Sequence, residues 1–158
     1  MRSCYLEQVL DDPGEHGKSQ VIAFDQVFAF ADLKDNLLLY TLPSDTIVAF
    51  RPFIQFGDYR SVAIDGMKLS PDEINDLGEV TVNHLYTVTA RNSTGNHTFQ
   101  LYFTTLPVIR INTEKAIVDE PKVLSRMDIQ YATDVTDDPQ TMLFTSYAGI
   151  EIRGRTSA

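Results

Sequence analysis

The chain has 158 residues, 43% hydrophobic and 22% charged, the balance of a folded domain and not of a disordered segment. Lysine and arginine number 13 against 22 aspartates and glutamates, a formal charge of −9 that repels phosphate backbones, and no basic run offsets it, which argues against nucleic-acid binding. The longest apolar stretches, Val27 to Ala31 and Leu37 to Tyr40, fall far short of a helical membrane span.

Residues 1–18 read as a polar lead-in, with Asp11-Asp12-Pro13-Gly14 and Glu15-His16-Gly17-Lys18 following a short apolar stretch. Cys4 is the only cysteine, so neither an intrachain disulfide nor a cysteine-based zinc site is available. Two readings of Cys4 compete: a lipid-anchored residue exposed by signal cleavage, and a free thiol in a frayed terminus. Its terminal position favours the thiol. Arg2 is followed by no apolar core, so no signal peptide is expected.

From Val21 onward, short β-like runs alternate with turn residues. Val21 to Phe30, Asn36 to Leu42, Thr46 to Phe50 and Phe53 to Phe56 are rich in β-branched and aromatic residues. Pro52 belongs at the start of a strand or on an edge, because it cannot donate to a ladder. Ser61 to Leu69 predicts a hairpin about Asp65-Gly66, since a type I′ turn needs two positive φ angles. Ser70-Pro71-Asp72-Glu73 has the pattern of a capping box and predicts one short helical turn, with Ile74 and Leu77 on one face and Gly78 ending it.

A second hairpin is predicted between His84–Arg91 and His97–Phe103, reversing through Asn92-Ser93-Thr94-Gly95-Asn96. Tyr86, Val88 and Ala90 alternate with Leu85, Thr87 and Thr89, and Phe99, Leu101 and Phe103 with Thr98, Gln100 and Tyr102, so one set faces a core. No segment carries a full helical period. Residues 19–104 therefore read as about seven short strands in a small immunoglobulin-like antiparallel β-sandwich.

The character changes at Thr104-Thr105-Leu106-Pro107. Strand-like runs follow at Val108 to Ile111, Val123 to Ile129 and Ile150 to Ile152, with an acidic loop at Thr133 to Gln140. A segment of about fifty residues buries little core alone, and the sheet is expected to need more chain to be complete.

This second segment carries three ordered motifs: Leu106-Pro107-Val108-Ile109-Arg110-Ile111-Asn112-Thr113, then Ile117-Val118-Asp119-Glu120-Pro121-Lys122-Val123, then Gly149-Ile150-Glu151-Ile152-Arg153-Gly154. Together they resemble the opening of the spore-coat protein H (CotH) kinase-like family over roughly residues 106–158. Arg155 stands before Thr156 and Ser157, where the family has small hydroxyl residues directly after Arg-Gly. The preceding segment is similar to β-sandwich modules found ahead of such domains in secreted or surface proteins of Bacteroidetes-type bacteria. Its matching features are Leu42-Pro43 with Asp45, the Val62 to Gly66 hairpin, and Tyr86 to Ala90 before a Gly95 turn.

The resemblance implies a fold that is mainly β, with an immunoglobulin-like sandwich over 19–104 and the truncated start of a kinase-like α+β domain over 105–158. It implies a secreted or cell-surface parent, an atypical kinase that uses ATP and a divalent metal to phosphorylate protein serines. The family's phosphate-binding lysine, acidic metal ligands and base lie downstream of the Arg-Gly motif, so no catalytic, cofactor or metal residue is carried over onto this chain. The chain is expected to be a non-catalytic spacer or interaction module, partnered by the remainder of the CotH-like domain. The alternative is a stand-alone adhesion or glycan-binding sandwich with a protein or glycan partner.

Other chemistry is thin. His16, His84 and His97 lack metal-ligand spacing; His84 and His97 are placed where they meet beside the second loop, but zinc needs three or four ligands. No Gly-x-Ser-x-Gly elbow supports a serine nucleophile. Asp134, Asp137 and Asp138 offer oxygens to calcium, yet depart from EF-hand spacing and read better as a solvated loop. Asp119 and Glu120 are adjacent on a strand and point to opposite faces, so they form no acid/base pair. Gly149 to Ser157 lacks a Gly-Lys-Ser/Thr core, leaving only backbone contact to phosphate near Gly154 as a kinase-type idea. Phe24, Phe28, Phe30, Phe50, Phe53, Phe56, Phe99 and Phe103 read as core, and Tyr40, Tyr59, Tyr86 and Tyr102 as candidate surface rings for a glycan. Asn92-Ser93-Thr94 and Asn96-His97-Thr98 match a glycosylation acceptor pattern but read as turn residues in a bacterial chain.

Overall fold

The computed structural model describes residues 8–10, 20–113, 123–133 and 138–150. Among them every regular element is a strand and there is no helix. The strands are β1 (Gln8–Leu10), β2 (Ile22–Phe24), β3 (Val27–Phe28), β4 (Phe30–Asp32), β5 (Leu37–Thr41), β6 (Thr46–Phe50), β7 (Phe53–Phe56) and β8 (Ser61–Ile64). They continue with β9 (Met67–Lys68), β10 (Glu73–Ile74), β11 (Gly78–Thr81), β12 (Leu85–Asn92), β13 (Gly95–Thr104), β14 (Val108–Thr113), β15 (Val123–Ala132) and β16 (Thr141–Ile150).

A mixed six-stranded sheet in the order β4-β5-β13-β12-β8-β9 forms the central layer, and β5 runs parallel to β13. Facing it are a sheet in the order β10-β7-β2-β3 and a two-stranded ribbon, β11-β6. One apolar core joins them: Ile22, Phe24, Phe50, Ile54 and Val80 from the facing strands meet Leu38, Tyr40, Val62, Val88, Leu101 and Phe103 of the central sheet. The predicted alternation is borne out, because Val88, Ala90, Phe99, Leu101 and Phe103 are buried while Leu85, Thr87 and Thr89 are exposed.

On the other side of the central sheet lies a fourth sheet, β1-β14-β15-β16. A second, smaller core of Phe30, Leu39 and Val108, flanked by Leu37 and Tyr102, connects it to β4, β5 and β13. β1 pairs in parallel with β14, so the expected lead-in contributes a strand where its apolar Val9-Leu10 pair falls.

Local chemistry accounts for both matches and departures. Asp65 and Gly66 have φ of 49° and 84°, and Ile64 pairs with Met67, as the Asp-Gly turn predicts. The Val21 to Phe30 run is broken instead at Asp25 and Gln26, both at positive φ. Asp25 compensates by exchanging bonds with Phe53: its amide donates to the Phe53 carbonyl (2.8 Å) and its Oδ1 accepts the Phe53 amide (2.9 Å).

The helical turn expected at Ser70 to Gly78 does not form. Asp72 sits at φ 61°, which a helix forbids, and Glu73–Ile74 pair with β7. Asn75 takes the capping role: its Oδ1 accepts the Ser70 amide (2.8 Å) and its Nδ2 donates to the carbonyls of Ser70 and Glu73. The second hairpin reverses more tightly than predicted, since Asn92 pairs with Gly95 and only Ser93-Thr94 remain as loop. Residues 20–104 hold twelve short strands, β2 to β13, rather than about seven. Gly57 is obligatory, because a Cβ there would lie 1.9 Å from the Gln20 carbonyl oxygen.

Aromatic rings fill the main core. Phe103 touches Phe24, Tyr40, Phe50 and Tyr86 at centroid separations of 5.5–6.1 Å. Removing such a ring leaves a cavity that its neighbours fill only in part. Phe103→Ala is expected to cost about 3–5 kcal/mol, read as a lower urea midpoint at unchanged slope.

Tyr40 donates to the Phe24 carbonyl (3.0 Å), and burial pushes its hydroxyl pKa well above the ordinary phenol value. The folded state thus keeps a proton that the unfolded state releases. This contribution to stability is intact below pH ~10 and is lost as pH rises beyond it. Tyr40→Phe is expected to flatten the alkaline fall in melting temperature. A smaller slope remains from Tyr59, whose pKa is also raised, first by burial and then by Asp58.

Candidate functional site: the polar joint beneath the outer sheet

Polar side chains on β14, β15 and β16 converge on the side of the outer sheet that meets β3, β4 and β5. Register sets Arg110, Asp128 and Thr145 directly across from one another on three neighbouring strands. Asp128 is fully buried. Its Oδ2 accepts from Arg110 Nη2 (3.2 Å), while Oδ1 accepts from Arg126 Nε (3.1 Å) and from the Thr145 hydroxyl (2.7 Å). The Arg110 guanidinium also lies 4.5 Å from the centroid of the Phe30 ring, a cation–π contact with the central sheet. Two cations share one anion, and Arg110 Nε and Asn112 Nδ2 are buried donors with no hydrogen-bond partner.

Next to this ladder, Gln130 spans the layers. Its Oε1 accepts the Thr41 backbone N–H and its Nε2 donates to the Phe28 carbonyl (3.1 Å). Thr141 donates to the Thr41 carbonyl (2.5 Å), and the Thr41 hydroxyl donates to the Leu106 carbonyl (3.0 Å). Both backbone polar groups of Thr41 are therefore satisfied by side chains of the outer sheet. The arrangement satisfies buried polar groups and holds two sheets together; it brings together no nucleophile with a base.

A second concavity, about 240 Å³, opens between the two main layers and is lined by Ile64, Asp65, Met67, Leu77, Val80, Leu101 and Phe103. Asp65 is its one ionisable group, and its Oδ1 is occupied by the Thr87 amide (2.9 Å). The space suits a small apolar group and offers nothing to make or break a bond.

The residues singled out from sequence do not converge. His84 and His97 lie at opposite ends of the second hairpin: His84 precedes Leu85, which faces Tyr102, whereas His97 faces Ala90. The His84 ring packs 4.5 Å from Tyr86, and His97 packs 5.7 Å from Tyr59 while bonding to the Thr94 hydroxyl (3.1 Å). Tyr40, expected as a surface ring, is buried, and Tyr59, Tyr86 and Tyr102 are half-buried. Tyr86 packs on Phe103 and accepts the Thr81 amide, so its ring and hydroxyl are both occupied.

Asn92 Oδ1 accepts the amide and hydroxyl of Thr94, a local turn contact. Asp138 accepts from Gln140 Nε2 (2.7 Å). Cys4, His16, Asp119, Glu120, Asp134, Asp137, Gly154 and Arg155 lie outside the described residues. Among the described residues no three His, Cys, Asp or Glu side chains are grouped to hold a metal ion.

No family model, no curated protein and no solved structure matches the chain.

The sequence reading missed the joint because Arg126, Asp128 and Gln130 alternate with Met127, Ile129 and Tyr131, and apolar residues are the ones expected to turn inward. Asp128→Ala leaves Arg110 buried without its anion and is expected to cost about 3–5 kcal/mol in urea unfolding. Replacing Arg110 and Asp128 together, Arg110→Met with Asp128→Leu, is expected to cost far less, because the one cation left without its partner, Arg126, is half exposed to solvent.

Proposed function

We propose that this chain is the non-catalytic front of a CotH-like atypical protein kinase. In this reading residues 19–104 form an immunoglobulin-like spacer or interaction module of a secreted or surface protein, and residues 105–158 open the kinase-like domain. The observation that carries the reading is the orientation of the outer sheet. Its buried Arg110–Asp128 pair and Gln130 face the central layer, so by strand alternation half-buried Ile109, Ile111, Met127, Ile129 and Tyr131 and exposed Met142 and Phe144 face away from it. An apolar face so placed is what a sheet presents when further chain packs on it. Motif residues Val108 to Thr113, Val123, Gly149 and Ile150 share this sheet with β1 of the lead-in, and their common sheet supports reading them as one unit.

The glycan-binding alternative needs exposed rings on a shared platform. Phe144 and Tyr147 are the exposed aromatics of β16, and their odd spacing turns them to opposite faces.

The test is to read the coding frame beyond the codon for Ala158 and express the longer product. The expected frame continues into a lysine-bearing strand and an acidic metal site. That longer protein is expected to transfer phosphate from Mg-ATP to a protein serine, while the 158-residue chain transfers none. A stop codon directly after Ala158, or phosphotransfer by the short chain, overturns the reading.

A further inference from the structure

We propose that β16 is a self-pairing edge, through which two copies of this chain join antiparallel about Thr145 and merge their outer sheets into one. The inference concerns the edge of that sheet, not its outward face, and stands independently of the kinase reading.

Among the described residues β16 pairs on one side only, with β15, through ten consecutive register pairs and no bulge. It carries no charged residue and no proline. Among the described residues the other sheet edges are blunted in the usual ways. β1 and β4 have three residues, β3 and β10 have two, and β9 has two, of which one is Lys68. The β6–β11 ribbon is interrupted by a bulge between Gly78 and Val80. A ten-residue, unbulged, uncharged edge stands apart from all of these.

The side chains of β16 select its partner. In an antiparallel pair centred on Thr145, Phe144 falls opposite Ser146 and Met142 opposite Ala148, a large residue against a small one on the outward face. On the inward face Leu143 falls opposite Tyr147. Centring on Phe144 instead sets that ring against its own copy and leaves Tyr147 opposite Thr141. Met142, Leu143, Phe144 and Tyr147 are now 38–68% exposed, and the Thr145 pairing covers all four in each copy. The contact is isologous and therefore closes as a dimer. No like charges meet across the twofold axis, although each chain carries −9 overall.

Sedimentation of the full chain over a concentration series, with hydrogen exchange at both ends of the series, tests this. The expected result is a dimer whose association strengthens with salt, as screening reduces repulsion between two acidic chains. Amides of 141–150 gain protection as the dimer forms. Ser146→Lys and Ala148→Lys each place a charge against an apolar residue of the other copy and are expected to raise the association midpoint by about tenfold or more. A chain that stays monomeric throughout the series overturns the proposal. So does a dimer whose β16 amides exchange as in the monomer, or a monomer in which those amides are already protected by another segment. The wild-type exchange data decide the matter even if a lysine variant fails to fold.

Discussion

The two-sided burial of β5 is the constraint on which the rest of the structure depends. Leu38 and Tyr40 enter the main core with Leu42, whereas Leu39, with Leu37 beside it, enters the smaller core under β14. A strand covered on both faces cannot afford polar residues on either, which is why Leu37-Leu38-Leu39-Tyr40 is a continuous apolar run and not an alternating one. Its parallel pairing with β13 follows the same logic, because β13 supplies Leu101 and Phe103 to one core and Tyr102 to the other. Central strand and neighbour thus share both interfaces.

At the end of β5 this apolar solution runs out. Thr41 is fully buried, and its amide, carbonyl and hydroxyl all point to partners on the outer sheet or the segment leading to it. An unpaired buried peptide group costs more than a typical hydrogen bond contributes, so Gln130 and Thr141 act mainly by preventing a penalty. Asp128 follows the same rule at higher stakes. With two arginines and a threonine around it the carboxylate is tolerated; with Arg110 left alone the site becomes a liability. Polar residues therefore concentrate where the third layer docks, and their geometry fixes which strand lies over which.

How far this was legible in sequence depends on whether the signal was local. Asp65-Gly66 needs nothing beyond its own backbone preferences, and the hairpin forms as expected. Thr46–Phe50 and Phe53–Phe56 are bounded by turn residues and Pro52, and their limits agree with the strands. Ser70-Pro71-Asp72-Glu73 carried an equally local signal and failed, because Asn75 took the Ser70 amide that Glu73 would cap and pairing with β7 outweighed one helical turn. Asp25-Gln26 gave no turn signal that competes with the apolar run around it. The reversal there is imposed by Phe53 on the adjacent strand, which no window around Asp25 contains.

The joint was illegible for a deeper reason. Period-two alternation says which residues share a face, but not which face is covered first. Along β15 the set 127, 129, 131 is apolar and the set 126, 128, 130 is polar, and the usual rule turns the apolar set inward. Here the inward position was already claimed by the backbone of Thr41 and Phe28, which needs one acceptor and two donors rather than hydrocarbon. The polar set answers that demand, and the apolar set is left facing outward. The inverted pattern is thus a consequence of docking onto strand ends whose outward peptide groups need side-chain partners, and it leaves Met142 and Phe144 exposed on the far side of the sheet.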